Sequence, residues 1–246
     1  MPSASPLPEP RSDWALFLDV DGTLIEIAAT PDGVMPDRRL PGILSAISGK
    51  LGGALALISG RPIGTLDRLF GSLRLPVAGL HGLERRDAGG GVHRATPSPG
   101  IRQAAEAAGD FARENPGILI EDKGATVALH FRQAPELGPA ATGFAETLVR
   151  TLDGAALQKG KMVVEIRPVG DDKGSVVAAF MAEPPFLGRT PVFIGDDVTD
   201  EAGFRMVNRL KGHSIRIGES AETEARHRIP DVAALLDWLE HWSEAR

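Results

Sequence analysis

The sequence predicts an α/β protein: a doubly wound parallel sheet, with a smaller α+β domain inserted between its two halves. Three observations carry this expectation. Short, wholly apolar runs alternate with helical patterns near both ends of the chain, as strands buried on both faces of a parallel sheet do. The middle of the chain changes to helix–hairpin–helix–hairpin order, which implies an antiparallel sheet with helices on one face. Acids, glycines and hydroxyls cluster just beyond the apolar runs, and ligands bind open parallel sheets at the carboxyl ends of their strands.

Each element follows in order. ALFLDV (15–20) is apolar up to its aspartate and reads as the first buried strand. Leu40, Ile43, Leu44 and Ile47 recur at helical spacing within 38–50, and GALALIS (53–59) is a second strand. Ile63, Leu66, Leu69 and Phe70 mark a helix over 62–70, and PVAGLHG (76–82) reads as a third strand. This β-α-β-α-β order predicts right-handed crossovers. The Gly- and Pro-rich stretch 87–100 reads as a junction. A helix over 101–114, the strand pair ILIEDK and TVALHFR, a helix over 137–152, and the pair AALQKG and KMVVEIRP then form the inserted domain. The parallel pattern resumes with a helix at 173–182, PVFIGDD (191–197), a helix through 198–209, HSIRIG (213–218) and a last helix at 231–243. The expected organisation is a disordered leader over 1–12, a core from 13–95 and 169–246, and an insert over 96–168.

Composition narrows the function. The chain has 246 residues, 42% hydrophobic and 24% charged, enough to bury a sizeable core. A formal charge of −6 argues against a dedicated nucleic-acid binder. With no cysteine there is no disulfide and no cysteine-based zinc site. The N-terminal stretch lacks the basic and apolar regions of a signal peptide, and no apolar run approaches the roughly 20 residues that span a bilayer. The expectation is a cytoplasmic monomer that binds neither membrane nor nucleic acid.

Four segments carry chemistry: DVDGT (19–23), SGR (59–61), DDKGS (171–175) and GDDVTDE (195–201). Buried carboxylates are expensive, so Asp19 at a strand end needs a reason. A carboxylate can attack phosphorus and form an aspartyl-phosphate. Asp21 returns to the same side of an extended chain, where a second carboxyl could move a proton. Ser59 before a helix start suits a phosphate cradle, and it equally suits an N-cap with Pro62 behind it. Lys173 at a helix start opposes the dipole, which suggests contact with an anion; a solvated lysine is the plainer alternative. Asp171 and Asp172 read as caps. The acids of GDDVTDE, with no cysteine and no histidine nearby, favour a hard cation, Mg²⁺ above others. Asp196 is the first candidate ligand, and Asp197 or Asp200 supports or joins it.

Taken together and in this order, DVDGT, SGR, Lys173 and GDDVTDE resemble the haloacid-dehalogenase-like phosphohydrolases, whose core is Rossmann-like. That resemblance implies Asp19 as nucleophile, Asp21 as general acid/base, and Ser59 and Lys173 as phosphate ligands. The implied phosphate cradle comprises Asp19, Val20, Asp21, Ser59, Gly60, Arg61 and Lys173. Mg²⁺ would be held by the Asp19 side chain, the Asp21 backbone carbonyl and the Asp196 side chain. The insert then corresponds to an α/β cap.

In the insert, alternation puts Glu121 with Lys123, His130 with Arg132, and Glu165 with Arg167 on shared strand faces. Such a face could hydrogen-bond sugar hydroxyls, or could simply face solvent. ExKxxxxxxHFR, KMVVEIRP, LISGRP and HGLE resemble the trehalose-6-phosphate phosphatase family over nearly all of residues 13–240. This implies trehalose 6-phosphate as substrate, Glu121, Lys123 and Glu165 on the glucose distal to the phosphate, and His81, Gly82 and Arg132 near the site. His130 is either a structural hydrogen-bonder or a ligand, and Trp238 and Trp242 read as packing. Competing readings are the same chemistry on sucrose phosphate or mannosyl-3-phosphoglycerate, a phosphomutase, and a non-catalytic sugar-phosphate sensor.

Overall fold

A computed structural model describes residues 6–27, 33–71, 73–94, 99–170, 172–219 and 222–245. Residues 1–5 of the expected leader, part of the 87–100 junction and the expected cap residue Asp171 lie outside them. The chain divides into two compact units, Met1–His93 with Asp172–Arg246, and Arg94–Asp171.

The first unit begins with β1 (Trp14–Leu18), α1 (Leu40–Lys50), β2 (Leu55–Ile58), α2 (Ile63–Phe70), β3 (Val77–Gly79), β4 (Glu84–Arg86) and β5 (Val92–Arg94). The second holds α3 (Pro99–Glu114), β6 (Leu119–Asp122), β7 (Val127–His130), α4 (Gly138–Val149), β8 (Ala155–Gly160) and β9 (Val163–Pro168). The first resumes with α5 (Lys173–Met181), β10 (Thr190–Gly195), α6 (Glu201–Arg209), β11 (His213–Ile217), β12 (His227–Ile229) and α7 (Val232–Glu244).

The sheet of the first unit runs β12-β11-β10-β1-β2-β3-β4-β5, parallel from β12 to β3. Chain order therefore moves outward from β1 in both directions. With right-handed crossovers, opposite directions put helices on opposite faces. Both faces being covered, β1, β2 and most of β10 are wholly buried. Phe17 of β1 stacks on Phe186 with ring centroids 5.5 Å apart, and Phe193 of β10 meets Phe204 edge-on at 5.7 Å. The reversal at β1 opens a crevice at its carboxyl end, where such sheets bind ligands.

Four features depart from expectation. The third strand ends at Gly79, and Leu80–Gly82 form a 3-10 turn in which Leu80 and His81 take left-handed φ of 51° and 55°. Within the expected junction, β5 extends the sheet edge through β4, which pairs antiparallel with β3. β12 is a further parallel edge strand. In the leader, Leu7 packs on the core and the Pro6 carbonyl accepts from His227 Nδ1 at 2.8 Å.

The sheet of the second unit runs β6-β7-β9-β8, antiparallel throughout. Val127, Leu129, Val164 and Ile166 point to one face, where they pack with Ile101, Ala104 and Ala108 of α3 and Ala141 and Ala145 of α4. By period-2 alternation the other face takes the intervening residues. Register places Glu121, Ala128, Glu165 and Gln158 in one row across it.

Candidate active site

The crevice residues come from four strand ends and one helix start. Asp19 directly follows β1, and its N–H donates to the Ile194 carbonyl at 2.9 Å, so the β1–β10 ladder sets its position. The Val20 carbonyl then accepts from the N–H groups of Thr23, Leu24 and Ile25, a turn entered through Gly22 at φ +86°. A Cβ on Gly22 would lie 2.2 Å from Asp196 Oδ2, so glycine there admits the β10 loop to the β1 loop. Val20 itself is wholly buried.

Lys173 opens α5 behind a capping box between Asp172 and Ser175, so its buried ammonium is aimed inward. It donates to Asp19 Oδ1 at 2.6 Å and to Asp200 Oδ1 at 2.5 Å. Asp200 Oδ2 accepts from the N–H groups of Asp196 and Asp197 at 3.0 and 2.9 Å. Asp200 thus ties the loop after β10 to the lysine. Asp197 Oδ1 accepts from Val198 N at 2.7 Å, as a cap.

One oxygen each from Asp19, Asp196 and Asp200 lies within 4.8 Å of the others. Three carboxylates share one ammonium, so the cluster is short of positive charge. Burial, and then the Asp200 carboxylate, push Asp19 well above the usual range despite Lys173. Burial, then Asp200 and Asp197, raise Asp196 to about 7. Burial alone would lower Lys173, but Asp19 and Asp200 outweigh it and hold the ammonium charged. Close oxygen donors with a charge deficit of two fit a hard divalent cation.

Asp21 faces elsewhere. Its carboxylate takes both arms of the Arg61 fork, Nε to Oδ2 and Nη2 to Oδ1, each at 2.7 Å. Ser59 is buried behind β2, and its Oγ accepts from Arg61 N at 3.1 Å. It does not cap α2: that helix starts at Ile63 behind Pro62, and Glu84 Oε2 accepts from Ile63 N at 2.9 Å. A Cβ on Gly60 would lie 2.6 Å from His81 Nε2, which places the His81 ring against the SGR loop, with Gly82 next in the turn.

In the second unit, Lys123 Nζ donates to Glu165 Oε1 at 3.1 Å, and the Thr126 hydroxyl donates to the same oxygen. His130 Nε2 donates to Glu121 Oε2 at 2.9 Å. Burial would raise Glu121, but His130 and Lys123 hold it below its usual value. Arg167 donates to Gln158 Oε1 at 2.7 Å, while Arg132 turns to the Lys161 carbonyl at 3.4 Å. Sequence reasoning missed Thr23, Thr126 and Gln158. The Thr23 hydroxyl donates to Asp196 Oδ1 at 3.4 Å, and its place directly after DVDG was the available signal.

A crevice at the β1 reversal, with its acids and lysine, defines a doubly wound α/β protein with a ligand site at its strand ends. Residues 17–232 match the sequence profile described as trehalose-phosphatase, and the chain belongs to that family. It is 50% identical over 225 residues to a Sinorhizobium fredii protein named as a probable trehalose-phosphate phosphatase, covering 91% of this chain and 85% of that one. It is 46% identical over 235 residues to the trehalose-6-phosphate phosphatase of Escherichia coli K12, covering 95% and 88%. The C-terminal domain of C. albicans trehalose-6-phosphate phosphatase shares the fold, with a TM-score of 0.80 at 22% identity over 95% of this chain and 92% of that one.

Proposed function

We propose that this chain hydrolyses trehalose 6-phosphate to trehalose and phosphate through an aspartyl-phosphate on Asp19. The buried cluster of Asp19, Lys173, Asp200 and Asp196 at the β1 crevice is the observation that carries the chemistry. The substrate rests on high identity to named relatives over most of the chain.

An Asp19 oxygen bonds to phosphorus as the bond from phosphorus to the sugar O6 breaks, and Asp21 supplies the proton that O6 takes. Asp21 then accepts a proton from the water that attacks the phosphoryl group, and Asp19 is regenerated. Lys173 and Ser59, with backbone N–H groups of Val20, Asp21 and Gly60, cradle the phosphoryl oxygens, where most phosphoryl-transfer catalysis arises. Mg²⁺ held by Asp19, Asp196 and the Asp21 carbonyl would neutralise charge on those oxygens. Asp200 keeps Lys173 and the β10 loop in place, and Asp197 caps.

The inserted unit, as cap, reads the distal glucose with Glu121, Lys123 and Glu165, and His130 and Thr126 orient the two carboxylates. His81, Gly82 and Arg132 are peripheral in this reading. Among the described residues no helix is long and apolar enough to cross a membrane. A sugar phosphate does not cross lipid unaided, because charge in hydrocarbon is costly, which supports a cytoplasmic enzyme; a monomer is part of the same proposal.

Phosphate release from a panel of sugar phosphates, with and without EDTA, for wild type and Asp19→Asn, tests the proposal. Trehalose 6-phosphate turned over no faster than glucose 6-phosphate or sucrose phosphate would sink the substrate. Full activity in Asp19→Asn, or indifference to EDTA, would sink the mechanism.

A further inference from the structure

The sequence expectation groups Arg61 with the phosphate ligands, but its guanidinium is committed elsewhere. The Nε/Nη2 edge, the edge that presents a fork to an oxyanion, holds both oxygens of Asp21. The arginine side chain is only 12% exposed, and Asp21 34%. Both arms engaged, the Asp21 carboxylate has one orientation, turned out of the group formed by Asp19, Asp196 and Asp200.

The backbone that carries Arg61 is itself held from several sides. Its N–H donates to Ser59 Oγ, and its carbonyl accepts from Leu80 N at 3.1 Å. His81 N donates to the Ser59 carbonyl at 3.0 Å. These bonds require Leu80 and His81 at left-handed φ of 51° and 55°, which costs roughly 1–2 kcal/mol per non-glycine residue. Backbone strain of this kind persists where surrounding structure over-determines it. Glycines complete the fit: a Cβ on Gly60 would lie 2.6 Å from His81 Nε2, and one on Gly79 would lie 2.7 Å from the Arg61 carbonyl.

We propose that Arg61 is a positioning residue for the proton carrier, acting on the reaction through Asp21 rather than by binding the phosphoryl group, with the Leu80–Gly82 turn as its template. This rests on the reading of Asp21 as general acid/base. Asp21 gives one proton to the departing O6 and takes one from water, while Arg61 gains and loses none. Its contribution is to fix the orientation of that carboxyl and to keep it apart from the oxygens of Asp19, Asp196 and Asp200.

Steady-state kinetics on trehalose 6-phosphate, with inhibition by inorganic phosphate, test this for Arg61→Ala, Arg61→Lys, Asp21→Asn and Arg61→Ala/Asp21→Asn in the full chain. Positioning predicts that Arg61→Ala lowers kcat by about 10- to 100-fold, the scale of a misplaced catalytic group. The phosphate Ki should stay within about twofold of wild type, and the double variant within about twofold of Asp21→Asn alone, because the two residues act as one unit. Arg61→Lys, which can meet only one oxygen, should recover part of kcat at unchanged Ki, and it carries the test should Arg61→Ala not fold. A phosphate Ki raised about tenfold or more in either Arg61 variant, the mark of a lost ionic contact, overturns the inference, as do losses that multiply in the double variant. Wild-type kcat in Asp21→Asn overturns the underlying proton-carrier reading, whereas an impaired Asp21→Asn beside an unimpaired Arg61→Ala overturns the positioning role alone.

Discussion

Asp19 and Asp200 accept from one ammonium, that of Lys173, at 2.6 and 2.5 Å, and all three side chains are almost wholly withdrawn from solvent. A buried pair of this kind is weak evidence for net stability, because desolvation opposes attraction. Removing one partner is a different matter, since it strands charge in the interior. Here one lysine answers to three acids, so its loss is felt by the whole cluster.

Lys173→Met should therefore destabilise the metal-free protein by about 3–5 kcal/mol at about pH 8, the penalty of an uncompensated buried charge. The deficit should shrink toward about pH 5.5, where Asp19 and Asp196, already raised, take up protons and no longer need a cation. Urea unfolding at the two pH values checks this. Equal losses at both would mean that the ammonium does not compensate these carboxylates.

Asp196 carries a second consequence. Its folded value of about 7 lies above its ordinary 3.8, so between those limits the folded protein holds a proton that the unfolded chain has released. Metal-free stability from this group accordingly falls as pH rises through that window. A cation bound at Asp196 displaces the proton, so stabilisation by Mg²⁺ should grow as pH rises through that window. Thermal unfolding with and without Mg²⁺ across a buffer series reads the effect. An increment independent of pH, or one that survives Asp196→Asn, would contradict it.

Gly22 tests the fit between the β1 and β10 loops. At φ +86° with a Cβ position 2.2 Å from Asp196 Oδ2, Gly22→Ala meets both backbone strain and the carboxylate. It should lose at least about 1–2 kcal/mol from strain alone, and more of its Mg²⁺ response, because Asp196 must move. Gly64→Ala serves as the comparison: nothing lies within 4 Å of a Cβ there, so it should be neutral or gain up to about 1 kcal/mol. Melting curves of both variants, with and without Mg²⁺, separate a lost cation site from a general packing defect.

What the sequence made legible, and what it hid, divides along physical lines. An apolar run that stops at an acid marks a strand end. In that way Asp19 and Asp196 could be placed, and Lys173 stood out because it opposes a helix dipole. β4 and β5 escaped because Glu84–Arg86 is polar and only half-buried and Val92–Arg94 is exposed. They owe their extended form to pairing at the sheet edge, not to hydrophobic alternation. The left-handed Leu80 and His81 leave no trace in residue type. The Arg61–Asp21 pair joins residues 40 apart in two separately read motifs, and nothing in either motif says that they meet. Thr126 only opens the expected strand TVALHFR and does not stand out by residue type, yet its hydroxyl holds Glu165.

On the proposed reading of the inserted unit, that last contact bears on sugar selection. Glu165 is buried on the sheet face opposite α3 and α4, where Lys123 and Thr126 both donate to its Oε1. A buried carboxylate so held is oriented in advance, and a sugar hydroxyl that donates to it meets an acceptor already in place. Losing such a bond costs roughly 1–3 kcal/mol, about tenfold in affinity for each 1.4 kcal/mol. Glu165→Ala should thus raise KM for trehalose 6-phosphate about tenfold or more, with Thr126→Val milder because Lys123 remains. p-Nitrophenyl phosphate has no sugar to read. Its hydrolysis should stay within about twofold of wild type in both variants, as expected of sites that do not couple. Parallel loss on both substrates would instead place Glu165 in the support of the catalytic core, and the division of labour between the two units would fall.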